Sequence, residues 1–123
     1  MVVDYSIART AVEMLYSGSF DVFEYGPVED PVTHITREGE STVLTGVSGR
    51  VSFETISPSN DNGIFESVTQ KIVLFTAPEH VIKPGSKIVV TQNGRTTEYK
   101  SSGLPAVYNT HQEIPLNAFK GWA

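Results

Sequence analysis

The N-terminal segment of the chain has the hydrophobic spacing of an amphipathic helix. Over residues 4–17, apolar side chains recur every three or four positions and so share one helical face. Either Asp4 or Ser6 can cap the first turn, and Gly18 supplies a stop. The pattern predicts one N-terminal α-helix with an apolar face formed by Ile7, Ala8, Ala11, Val12 and Leu15.

From residue 20 onward the pattern changes to the alternation of apolar and polar positions that is typical of β-strands. Residues 20–26 predict a first strand, residues 42–44 a short one, and residues 47–56 a firmer one. The charged, proline-containing segment 27–40 predicts a connection. Residues 67–77 predict a further strand, which ends before Pro78.

The strand at residues 67–77 is apolar on both faces near its end. Ile72 and Leu74 alternate there with Val73 and Phe75. This pattern indicates a strand that is buried on two sides, or one that is covered by the N-terminal helix or by a neighbouring subunit.

The stretch IKPGSKIVVTQNGRTTEYK predicts a β-hairpin in detail. Asn93-Gly94 favours a type I′ turn, because both central positions of that turn need positive φ. A two-residue loop pairs Gln92 with Arg95 and places Lys87 opposite Lys100, with Glu98 beside them. The same register puts a second set of side chains on the core face: Ile88, Val90, Thr97 and Tyr99.

The C-terminal region predicts a last strand over residues 106–114, in which Tyr108 is a candidate core residue. In the closing segment PLNAFKGWA, Leu116, Phe119 and Trp122 recur at helical spacing, but the segment is too short for a stable isolated helix. These apolar side chains must therefore dock. Either they close the sheet, or they contact another subunit.

Together these elements predict a mainly β fold with a single domain over residues 1–123. Five or six strands after one helix indicate a small, bent antiparallel sheet or a β-barrel, with the N-terminal α-helix against it and a long inter-strand loop. The β-rich body is expected over residues 20–116 and a C-terminal tail over residues 117–123.

The predicted long loop separates the strands at residues 47–56 and 67–77. A tight hairpin needs about two to five connecting residues, so a longer polar excursion requires a function or indicates disorder. The core of this loop contains only polar residues, proline and glycine: Ser57, Pro58, Ser59, Asn60, Asp61, Asn62 and Gly63.

Composition narrows the classes of function. The chain has 123 residues, 39% of them hydrophobic, and no cysteine, which excludes disulfides and thiolate chemistry. Fourteen acidic and nine basic residues give a net charge of −5, and the basic residues are scattered, which argues against tight binding to a phosphate backbone. The sequence contains no apolar run long enough to span a bilayer and no signal-peptide pattern, so we expect a protein without a membrane partner that folds in a cytoplasm.

Catalytic and metal-binding motifs are weak in this sequence. His34, His80 and His111 lie far apart, at intervals that do not suit a metal site. Neither a nucleophile elbow nor a phosphate-binding loop is present. We therefore predict no catalytic residue, no metal and no cofactor. An enzyme would need distant groups such as His111, Glu113 and Glu54 to converge in one pocket.

The order of elements, the stretch VIKPGSKIVVTQNGRTTEYK and the close SSGLPAVYNTHQEIPLNAFKGWA resemble the small head–tail connector proteins of tailed phages and prophages of Gram-positive bacteria, also described as head-completion, stopper-like or minor capsid proteins. The resemblance extends from about Val47 to Ala123. It implies a β-barrel structural protein of the virion neck without catalytic residues. Adaptor, stopper and tail-terminus roles all remain open.

The resemblance also implies partners. Copies of the chain would form a ring, with a portal or adaptor protein above, tail proteins below, and DNA passing through the lumen without sequence-specific binding. The loop 57–63 would line or gate that channel. Ile7, Val12, Phe119 and Trp122 are the expected subunit contacts. The alternative is a monomeric β-barrel module that binds saccharide or peptide through a concave cluster of aromatic side chains.

Overall fold

One helix and seven strands make up the described part of the chain, residues 5–56 and 69–122, in a computed structural model of the protein. The elements are α1 (Ser6–Glu13), β1 (Gly18–Glu29), β2 (Thr36–Ile56), β3 (Thr69–Thr76), β4 (Lys87–Gln92), β5 (Arg95–Ser101), β6 (Ala106–Val107) and β7 (Gln112–Ala118). Within these ranges there is no helix of the length and apolarity that crossing a membrane requires.

All seven strands belong to one antiparallel sheet that closes on itself. Their order is β3-β2-β1-β4-β5-β7-β6, and an additional pairing of β3 with β7 makes the sheet ring-like. At this seam β7 pairs with β3 along one edge and with β5 and β6 along the other. The predicted mainly β fold with one N-terminal helix is confirmed, and of the two predicted architectures the bent sheet is the one observed.

The hydrophobic core fills the inside of the ring-like sheet. Alternate residues of each strand point inward, because successive side chains of a strand face opposite sides. Tyr99 is buried, as predicted, whereas Tyr108 is exposed, so its prediction as a core residue is wrong. The buried cluster consists of Phe20, Val22, Val51, Leu74, Ile82, Ile88, Val90, Tyr99, Ile114 and Leu116.

The predicted β4–β5 hairpin is confirmed in register and in turn type. Gln92 pairs with Arg95, and Lys87 pairs with Lys100. Asn93 and Gly94 have φ angles of 54° and 74°, the positive values that a type I′ turn needs.

One glycine of β2 is required by packing. A Cβ atom at Gly49 would lie 2.8 Å from Cε1 of Phe20 and 3.0 Å from the carbonyl oxygen of Phe75. Only a residue without a side chain lets β2 pass this close to the ring of Phe20.

The predicted connection at residues 27–40 is wrong, because most of it is strand. β1 runs to Glu29 and β2 begins at Thr36, so the chain makes a long hairpin with a turn at residues 30–35. Pro27 pairs with Glu38 at a position where β1 has β2 on one side only, and an edge strand tolerates the missing N–H of proline. The strand β2 includes both strands predicted at residues 42–44 and 47–56, together with the end of the predicted connection.

The C-terminal region also differs from its prediction. The strand expected over residues 106–114 is a hairpin: β6 and β7 are joined by residues 108–111, and the amide of Tyr108 donates to the carbonyl of His111. The segment with helical spacing is extended up to Ala118. Leu116 is buried in the core, so its spacing from Phe119 does not reflect a helix.

The helix α1 is shorter and less tightly packed than predicted. It begins at Ser6 and ends at Glu13, so Ser6 is a helical residue rather than the cap, and Gly18 starts β1 rather than ending the helix. None of its side chains is buried. Arg9 Nη2 donates to both carboxylate oxygens of Glu79 and thereby tethers the helix to the body, and this ion pair keeps the pKa of Glu79 below its ordinary value.

Candidate functional site

The predicted channel loop, residues 57–63, lies outside the described residues. The pair formed by Ile56 of β2 and Thr69 of β3 marks where the chain leaves the sheet and where it returns. Residues 57–63 therefore belong to the connection between two adjacent antiparallel strands. Their role as a channel loop stays a prediction.

The N-terminal helix presents two of the predicted subunit contacts in different ways. Ile7 is 83% exposed, and Val12 is half-buried. Met14 and Leu15, which directly follow the helix, are also largely exposed, so this N-terminal region presents several accessible apolar side chains. An exposed amphipathic surface of this kind is typical of a contact with another protein.

The remaining predicted contacts, Phe119 and Trp122, form a cluster on the outside of the sheet. The Trp122 ring stacks on Tyr25 of β1 with centroids 5.4 Å apart and meets the Phe119 ring edge-on at 5.1 Å. Nε1 of Trp122 donates to Oε1 of Glu40 of β2 at 3.2 Å. Both side chains are half-buried, so the tail is fastened to β1 and β2 within one copy.

Lys87 of β4 connects this aromatic cluster to two carboxylates. Its Nζ lies 5.1 Å from the centroid of Phe119 and 5.5 Å from that of Phe23, within the range of a cation–π contact. The same Nζ is 3.1 Å from Glu40 and 3.4 Å from Glu98. The hydrogen bond to Glu40 is the main cause of the raised pKa of Lys87, so this side chain stays positively charged.

A Tyr25→Ala variant is expected to release the tail. The loss of one stacked ring lowers the free energy of unfolding by about 1 kcal/mol. Because Trp122 is the single tryptophan of the chain, its fluorescence emission reports the cluster directly and should shift toward that of a water-exposed indole. The matched control is Tyr108→Ala, which removes a similarly exposed tyrosine elsewhere. An emission spectrum unchanged by Tyr25→Ala would contradict the docked tail.

The long β1–β2 hairpin extends past the strands that flank it. We call residues 24–41 the arm. Six residue pairs hold it together, from Glu24 with Ser41 to Glu29 with Thr36. At its tip the Asp30 carboxylate accepts hydrogen bonds from the amides of Val32 and Thr33, which lowers the pKa of Asp30. Sequence reasoning predicted the first strand only as far as residue 26 and missed the rest of the arm, because that segment is rich in charged residues, glycine and proline.

The histidines do not form a metal centre. Among the residues that the structure describes, no group of three or more potential ligand side chains could hold a metal ion. His34 is 3.1 Å from Glu29 in the arm, and His111 is in the β6–β7 hairpin.

His111 is the centre of a small polar network. Its Nδ1 is 2.9 Å from Oγ1 of Thr110, and its Nε2 is 3.2 Å from Glu113. Thr110 is the residue next to His111, and the imidazole contacts the rings of Tyr108 and Phe75 at 5.0 and 5.9 Å. These contacts pack the hairpin and cover the outer face of Phe75, the side for which a helix or another subunit was expected.

A cavity of about 340 Å³ lies between β2 and the β4–β5 hairpin. It is relevant because the alternative function, a binding module, requires a pocket for its ligand. Phe53 and Tyr99 contribute to its lining. The amide group of Gln92 also lines it, but its oxygen accepts from the Val51 amide at 2.8 Å and its nitrogen donates to the Val51 carbonyl at 3.1 Å. These two hydrogen bonds join β4 to β2.

Comparison with known proteins adds one structural likeness. No protein-family model matches the sequence, and no curated protein is significantly similar to it. Among solved structures, the phage-like element PBSX protein xkdH from Bacillus subtilis aligns with a TM-score of 0.47 and 9% identity, over 81% of this chain and 91% of xkdH.

Proposed function

We propose that this protein is a structural component of the neck of a tailed phage or prophage particle. Copies of the chain form part of the head–tail connector ring that joins the capsid portal to the tail and helps to retain or gate DNA. The neck of the virion is its location, and the host cytoplasm is where it folds before assembly. The role is mechanical and involves no catalysis.

The observation that carries this proposal is the presence of two unlike protruding surfaces on one small body. The helix α1 exposes Ile7, and the arm exposes Val32 and Ile35, which are 84% and 52% accessible. A ring requires heterologous contacts, in which one surface of a subunit meets a different surface of its neighbour. A monomeric binding module has no need of either protrusion.

The sequence supports the proposal independently of these surfaces. The β4–β5 hairpin lies within the segment on which the resemblance to head–tail connectors is based, VIKPGSKIVVTQNGRTTEYK. The strand pairing observed in this hairpin is the one that the segment predicts.

Charge is compatible with DNA that passes through the ring without being held by it. The predicted channel loop contains Asp61 and no lysine or arginine. Basic residues bind DNA by releasing counterions from the phosphates, and a loop without them does not grip the backbone. Contact with DNA in the lumen is therefore steric and independent of base sequence.

The proposal is tested by incubating the purified chain with its cognate portal assembly, with and without the adaptor, and imaging the product by electron microscopy. We expect one discrete added ring. Shortening of the loop 57–63 should change the density in the lumen, whereas Asp61→Asn, which keeps the loop length, should not. No added density under conditions in which other connectors assemble would overturn the proposal and favour the free-standing binding module.

A further inference from the structure

The arm leaves both of its edges without a strand partner. Beyond Phe23, β1 pairs only with β2, and before Gly49, β2 pairs only with β1, within the residues that the structure describes. A two-stranded ribbon is marginally stable in water, and proteins normally cover or blunt such edges. The docked tail covers only the base of the arm, at Tyr25 and Glu40.

Most of the net charge of the protein is on the arm. Residues 24–41 contain five acidic residues and one basic residue, a net charge of −4 out of −5 for the whole chain. At the base, Glu24 is 3.8 Å from Lys83 and Glu40 is 3.1 Å from Lys87. Farther out, Arg37 is the only lysine or arginine of the arm, and His34 lies 3.1 Å from Glu29. The acidic residues there are Glu29, Asp30 and Glu38.

A groove between the end of β5 and the docked tail has the opposite charge. It has a volume of about 460 Å³ and is lined by Lys100, Asn117, Ala118, Lys120 and Gly121, without an acidic residue. Lys100 and Lys120 are exposed, and neither forms an ion pair with another described residue. Two unpaired ammonium groups beside a concave surface are suited to receive carboxylates.

We infer that the outer part of the arm of one copy docks in the lysine groove of the next copy. The occupant is a second copy because the same chain carries both an acidic protrusion and a basic groove of complementary charge. The contact is head-to-tail, so it can propagate around a ring. Val32 and Ile35 add apolar area at the tip of the arm. This inference rests on the ring assembly proposed above and names its subunit contact.

Reciprocal charge reversal tests the contact on the full chain. The arm variant is Glu29→Lys with Glu38→Lys, and the groove variant is Lys100→Glu with Lys120→Glu. Sedimentation velocity at low ionic strength, at up to about 1 mM protein, measures association. We expect the unaltered chain to self-associate and each variant to lose at least about tenfold in association constant. An equimolar mixture of the two variants should associate again, because each arm then meets a groove of opposite charge.

A matched control separates this contact from an effect of net charge. The variant Lys71→Glu with Arg95→Glu changes the net charge by the same amount as the groove variant, at two exposed positions away from the groove. It should associate like the unaltered chain. Circular dichroism of all variants verifies that they are folded. A chain that stays monomeric throughout this range, or a mixture no better than its components, would overturn the inference.

The proposed contact and the proposed neck function can be contradicted independently of each other. If both reversed variants add a ring to the portal as the unaltered chain does, the contact is wrong and the function stands. If the mixed variants associate in solution but no ring is added to the portal, the contact stands and the function is wrong.

Discussion

A Leu74→Ala variant should lose about 2–5 kcal/mol of unfolding free energy, the range for truncating a fully buried leucine. Leu74 of β3 has no accessible surface. It pairs with Val51 of β2 on one side and with Ile114 of β7 on the other, so its side chain lies at the seam that closes the sheet. Truncation removes buried apolar area and leaves a cavity where three strands meet.

Urea unfolding monitored by circular dichroism measures this loss, with the midpoint falling at an unchanged slope. The matched control is Leu104→Ala, the same chemical change at a side chain that is 82% exposed. It should change stability by less than about 0.5 kcal/mol. Equal effects of the two variants would contradict a core that is closed at the β3–β7 seam.

A Gln112→Leu substitution should lower the free energy of unfolding by about 2–4 kcal/mol, although leucine is similar in volume to glutamine and more apolar. Gln112 is buried at the start of β7, and its Nε2 donates to the carbonyls of Ala77 and His80 at 2.8 and 2.6 Å. Leucine leaves both carbonyls without this donor, and a buried acceptor that loses its partner costs about 1–3 kcal/mol. The amide group fixes the turn after β3 to the opposite side of the seam.

The same urea experiment tests this prediction, with Gln70→Leu as the control because Gln70 is exposed on β3. The control should be close to neutral. If Gln112→Leu were as stable as the unaltered chain, the turn at residues 77–80 would not depend on the amide of Gln112. A hydrophobic gain would then outweigh the two lost hydrogen bonds.

Both of these positions lie at the seam, whereas the proposed contacts lie on the arm and on the outer surface of β5 and β7. Substitutions at exposed charges such as Glu38 or Lys120 should therefore change association without a comparable loss of stability. Folding and assembly can be measured as separate properties of this chain.

The β4–β5 hairpin could be predicted from the sequence alone, because the residues of its turn fix the turn type. Asn93 and Gly94 adopt positive φ at low cost, and a two-residue loop admits one register, so the core positions Ile88, Val90 and Tyr99 followed from the sequence. The mainly β class followed from alternation in several segments. These features depend on interactions between residues that are close along the chain.

Only the tertiary structure decided the arm, the position of the tail and the exposure of the helix. The arm segment is rich in charge, glycine and proline, and its strand conformation comes from pairing across the hairpin rather than from the preferences of its residues. The tail docks because Trp122 contacts Tyr25 and Glu40, which precede it by 97 and 82 residues. A hydrophobic pattern indicates which side chains are buried. Which residues they contact depends on the folded sheet, because it brings together segments that are distant in sequence.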